Sequence, residues 1–122
     1  MIKIISAELR EDEHDQQREF IWFSQNTYYE MEFKPDQPPI QLSVVFEYLV
    51  DGEVSEPIQF LVHHEENETP INTSTFDIDH AGNKSGVHTI HNVNFSKAGV
   101  YRIDITFQSN VLYSIPLKLK QS

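Results

Sequence analysis

The chain has 122 residues, 39% hydrophobic and 23% charged, with no cysteine; this is the makeup of one globular domain, 1–122, and it excludes disulfide and thiolate chemistry. The net charge of −10 gives a surface that repels phosphate backbones, so no nucleic acid is expected as partner. The opening MIKIISAELREDEHD lacks an apolar signal core, and no apolar run approaches the ~20 residues of a membrane span, so a cytoplasmic location without membrane contact is expected.

Period-two alternation dominates the chain, which is the strand signal. In Ile2–Leu9 it breaks midway: Ile2 and Ile4 share one parity, while Ile5, Ala7 and Leu9 share the other. A bulge near Ile4–Ile5 reconciles them. Residues 10–18 carry no apolar side chain and read as a loop or exposed edge. Tyr29, Met31 and Phe33 alternate with Tyr28, Glu30 and Glu32, and Pro35, Pro38 and Pro39 close the segment. Ile40–His64 reads as a hairpin, with Leu42, Val44, Phe46 and Tyr48 on one face and Ile58, Phe60 and Val62 returning. Asp51-Gly52 is its tight type I′ turn. Ile71–Asp79 is strand-like and turns at 80–83. In the return, Val87, Thr89, His91 and Val93 share a face.

The final third alternates most regularly. Tyr101, Ile103, Ile105 and Phe107 face one way; Arg102, Asp104, Thr106 and Gln108 face the other and form no site. After a turn at Ser109-Asn110, Val111, Tyr113, Ile115, Leu117 and Leu119 make the matching apolar face. Pro116 has the outward register of an edge strand. The expected fold is all-β, an antiparallel sandwich of about seven to eight strands.

Phe95-Ser96-Lys97-Ala98-Gly99-Val100-Tyr101 resembles the E–F corner of immunoglobulin-like sandwiches, in which a tyrosine hydroxyl bonds back across the corner. The resemblance implies that role for Tyr101, although the disulfide and strand C tryptophan of antibody domains are missing. Phe95, Gly99, Tyr101 and Ile103, together with Ile115-Pro116-Leu117-Lys118-Leu119, are similar to a family of small bacterial and phage-borne domains. That resemblance implies fold and transfers no chemistry.

Six histidines and 19 acids raise the question of a metal. His63 and His64 are adjacent in a strand and point to opposite faces, and His88 and His91 differ by an odd number, so no spacing favours zinc. Asp77-Ile78-Asp79-His80-Ala81-Gly82 begins like a calcium loop, but Ala81 and His88 occupy ligand positions, so a simple turn is expected. Glu30 and Glu32 lie on one strand face about 7 Å apart, inside the inverting-glycosidase range, but ordinary solvent-facing alternation explains them with far less machinery. Phe20, Trp22, Tyr28 and Tyr29 read as core rather than a sugar-stacking platform. No catalytic, cofactor-binding or metal-binding residue is assigned, and no cofactor is expected.

These readings favour a non-enzymatic protein-interaction or scaffold module that meets another protein, with edge-strand pairing as one route. The rivals are an acidic inhibitor imitating DNA charge, suggested by Glu8–Glu19, and a carbohydrate- or ligand-binding sandwich. Charge is divided unevenly: residues 1–80 hold 18 acids against 4 bases, and residues 81–122 hold 1 acid against 5 bases. The acidic portion is the better place to look for function.

Overall fold

A computed structural model of the chain describes residues 1–10, 21–23, 28–78 and 82–121. The described residues form nine strands and no helix: β1 (Ile2–Arg10), β2 (Ile21–Phe23), β3 (Tyr28–Phe33), β4 (Ile40–Val50), β5 (Ile58–His64), β6 (Asn72–Phe76), β7 (Gly82–Val93), β8 (Gly99–Phe107) and β9 (Asn110–Gln121). They build two sheets, β1-β4-β7 and β2-β3-β9-β8-β5-β6. Every neighbouring pair is antiparallel except β3 and β9, which run parallel. The chain thus has more strands than alternation alone suggested, and it is not wholly antiparallel. No helix among the described residues is long and apolar enough to cross a membrane.

The core lies between the sheets. Leu42, Val44, Phe46 and Tyr48 of β4 bury one face against Ile58, Phe60 and Val62 of β5 and Tyr101, Ile103 and Ile105 of β8. The Phe46 and Phe60 rings meet edge-on at 5.5 Å across the gap. In β1 the ladder to β4 slips between Ile4 and Ser6, so Ile5 is an extra residue. The expected bulge is there; it turns Ile5 outward and lets Ile2, Ile4 and Leu9 all reach the core.

The Ile40–His64 hairpin does not form. β4 is flanked on both sides by β1 and β7, while β5 pairs with β6 and β8. The alternation in each strand reports a buried face and says nothing about which strand lies alongside. Of the expected turn pair, only Gly52 takes a positive φ, 88°. Residues 51–57 carry the chain from one sheet to the other, and Asp51 N–H donates to the Met1 carbonyl at 2.8 Å.

Two more bulges change parity. Leu42 pairs with Ile90 but Ile40 with Val93, so β7 holds an extra residue, where Asn92 has φ 57°. Val93 is therefore buried with Ile90, whereas Val87 and His91 are exposed, contrary to the single face expected. In β9, Ile105 pairs with Tyr113 but Thr106 with Val111, leaving Leu112 over. Leu112 packs against the core, Val111 and Tyr113 are exposed, and only Ile115, Leu117 and Leu119 remain inside.

The β8–β9 hairpin forms, with its turn one residue earlier than expected. Gln108 and Ser109 have φ of 50° and 67°, the type I′ pattern. β9 is not an edge strand, because β3 flanks it; Pro116 is tolerated because the ladder to β3 begins at Leu117. At the corner before β8, the Tyr101 hydroxyl donates to the Lys97 carbonyl at 2.7 Å. Its ring lies edge-on to Phe95 and to His64, each at 4.8 Å. Gly99 is required here, since its φ is 131° and a Cβ would stand 2.6 Å from His64 Nε2.

Replacing Tyr101 with Phe removes only the hydroxyl. It is expected to cost about 1 kcal/mol and to lower Tm by about 3–5 °C in a calorimetric scan. An unchanged Tm would mean the corner bond contributes nothing.

Candidate functional site

The outer face of the larger sheet holds the densest polar cluster among the described residues. Asp104 points away from the core by alternation, yet only 3% of it is exposed. Its neighbours in the ladder are Leu61 on β5 and Ser114 on β9. Ser114 Oγ donates to Asp104 Oδ1 at 2.5 Å, and Arg102 Nε donates to Oδ2 at 3.0 Å. His63 Nε2 lies 3.5 Å from the same Oδ2. A buried carboxylate is held this way when charge-assisted donors converge on it.

Of Arg102, Asp104, Thr106 and Gln108, expected to face outward and form no site, Asp104 is thus buried among polar partners. Thr106 is buried as well and donates to the Gln59 carbonyl at 3.3 Å. Asp104 is the one acid in residues 81–122, and that isolation among five bases was the available signal. The chemistry of the cluster follows from its order. Serine and histidine both face the carboxylate, which stands between them, whereas a nucleophilic triad needs the base between nucleophile and acid. His63 Nδ1, the atom left over, is buried without a hydrogen-bond partner.

The histidines divide as their spacing requires. His63 lies on the outer face and His64 on the inner, where its Nδ1 accepts from the Glu66 N–H at 3.1 Å. His88 is half-buried on β7, stacked on Phe60 at 4.4 Å, with Nε2 2.8 Å from Ser74 Oγ. Burial, and to a lesser degree His91, hold its pKa below the usual histidine range. His91 is exposed, and its carbonyl accepts from Asn72 Nδ2 at 3.0 Å. These two bonds, with Phe76 against Phe46 and His88, join β6 to β7 along one side of the sandwich.

The remaining candidates separate cleanly. Asp77 is exposed, and residues 79–81 of the calcium-like loop lie outside the described residues; His88, at its twelfth position, is engaged inside the protein. Among the described residues no three His, Asp or Glu side chains converge as a metal site would require. Glu30 and Glu32 stand opposite Lys118 and Lys120 in the β3–β9 ladder, so cross-strand charge complementarity accounts for their spacing. Tyr29 is buried, with its ionisation pushed up by that burial. Phe20 and the side chains of Trp22 and Tyr28 lie outside the described residues, as does the acidic section beyond Arg10. Glu8, its described part, is bonded to Arg10 at 2.8 Å.

The chain matches no protein-family model, no curated protein and no solved structure.

Two measurements test this geometry. Asp104→Ala removes the acceptor of the Ser114 hydroxyl and leaves the buried His63 Nε2 without its carboxylate neighbour, so urea denaturation should show a loss of about 2–3 kcal/mol. Arg102→Ala, at a side chain 42% exposed, should lose under about 1 kcal/mol. Equal losses would contradict the buried cluster. For His88, the folded pKa lies below the unfolded value of about 6.5, so the unfolded chain binds the proton first as pH falls. Stability contributed by the neutral ring is complete above about pH 6.5 and declines below it. Between pH 7 and 5.5 the fall in Tm should be smaller in His88→Asn than in the parent.

Proposed function

We propose that this chain is a non-enzymatic protein-interaction module built on an immunoglobulin-like sandwich. The strand order supports the fold reading: β1, β4 and β7 correspond to strands A, B and E, and β5, β8 and β9 to C, F and G. The Tyr101 corner supports it independently. The resemblance to small bacterial and phage-borne domains belongs to the same proposal, since it rests on Phe95, Gly99, Tyr101 and the Ile115–Leu119 segment.

One observation carries the interaction reading, namely the free edge of β7. Among the described residues β7 pairs only with β4, and no described strand is laddered to its other side, where β6 reaches the β7 backbone only through Asn72 on the His91 carbonyl. Strand addition draws affinity from main-chain hydrogen bonds and selectivity from alternate side chains. In the polar cluster, Ser114 and Arg102 are engaged on Asp104 with His63 Nε2 beside it, and on β7 itself His88 is engaged on Ser74.

A random-peptide display library panned against the dilute protein tests this reading. Selected peptides should be extended, should slow amide exchange in residues 83–90, and should lose at least tenfold in affinity on Val87→Lys. Peptides that bind Val87→Lys and the parent equally would count against the β7 edge.

A further inference from the structure

Resting on that reading, we infer that the occupant of the β7 edge is β7 of a second copy, antiparallel, about a two-fold axis at Val87. The described free edges are β1 and β7 of the smaller sheet and β2 and β6 of the larger. Proteins blunt such edges by shortness, charge or bulges. β2 has three residues and β6 five. β1 is interrupted by its bulge at Ile5 and carries Lys3, Glu8 and Arg10. Through Ile90, β7 is the least protected: its ladder to β4 is unbroken from Gly82 to Ile90, and its one Lys, Arg, Asp or Glu is Lys84 near its start.

The outward row of β7 reads Ser85, Val87, Thr89, and Val87 is 63% exposed. Reversed, that row matches itself. Around an axis at Val87, valine meets valine, and Ser85 of each copy meets Thr89 of the other, pairings that stabilise antiparallel ladders. Val45 lies beside Val87 in the β4–β7 ladder, so the joined sheets carry a continuous row of four valines. Lys84 falls opposite Ile90, and no two charges oppose each other along the seam. At the far end, Asn72 occupies the His91 carbonyl, which ends the pairing beyond Thr89. A two-fold contact of this kind closes on itself and stops at a dimer.

Charge complementarity of the ordinary kind is absent, because each copy carries −10. Long-range repulsion opposes association, so added salt strengthens this dimer, whereas salt weakens capture of a basic partner.

The test uses the whole chain. Sedimentation from ~10 µM to ~1 mM should show a monomer–dimer equilibrium that shifts toward dimer as salt rises. Val87→Lys should remain monomeric throughout, with circular dichroism and Tm matching the parent. Because the chain has no cysteine, Val87→Cys supplies the one thiol in each copy. Under mild oxidant it should give a covalent dimer well ahead of Val111→Cys, which is 58% exposed on the other sheet. A parent monomeric at ~1 mM in high salt overturns the inference. So does a dimer unaffected by Val87→Lys, or equal crosslinking at positions 87 and 111. A monomer that still captures peptides along β7 sinks the self-pairing and leaves the interaction module standing. A dimer that selects no foreign peptide does the reverse.

Discussion

The hydrogen bond from the Tyr101 hydroxyl to the Lys97 carbonyl fixes the passage from one sheet to the other, and much of the structure is arranged around it. The chain leaves β7 at Val93, buries Phe95, and must reverse into β8 within a few residues. Tyr101 holds that reversal from inside, clamped between Phe95 and His64. Gly99 supplies a backbone angle that a side chain would oppose, and it leaves the room that His64 needs. Once Tyr101 is anchored, Ile103 and Ile105 enter the core and Asp104 is carried to the opposite face by parity.

That parity explains how the two faces of the larger sheet came to differ. The inner face is apolar apart from His64 and the Tyr101 hydroxyl. The outer face buries a carboxylate, a histidine and a threonine; Ser114 and Arg102 bond to Asp104, Thr106 bonds to Gln59, and His63 lies against Asp104. The cluster ties β5, β8 and β9 together from outside, as the core ties them from inside. A network of this kind adds specificity of register, because a slip by one residue would strand every member.

Buried faces were legible from sequence wherever alternation was unbroken, as in Tyr29, Met31 and Phe33 or Ile115, Leu117 and Leu119. The bulge at Ile5 was legible too, since apolar residues of both parities stood in one strand. The bulges at Asn92 and Leu112 were not, because an inserted residue there leaves a run that still alternates plausibly. Strand partners were hidden for a deeper reason. β4 and β5 each show one apolar face to a shared core, and that pattern is the same whether they are neighbours or lie in opposing sheets. As to the candidate site, no motif spacing marks the Asp104 cluster, whose members come from three strands, and the β7 edge becomes visible only when its single neighbour is known.

The parallel ladder between β3 and β9 has a bearing on how the molecule assembles. Tyr29 sits beside Leu117 and Phe33 beside Gln121, so most of the chain is a loop that this ladder must close. The neighbouring β8–β9 hairpin closes over only two residues. Loop entropy therefore weighs little on β8 and β9 and heavily on β3, and pairings of high sequence separation are the slow ones. Until β3 docks, β9 presents its own unpaired flank, so the order of docking sets how long that flank is open to misassociation.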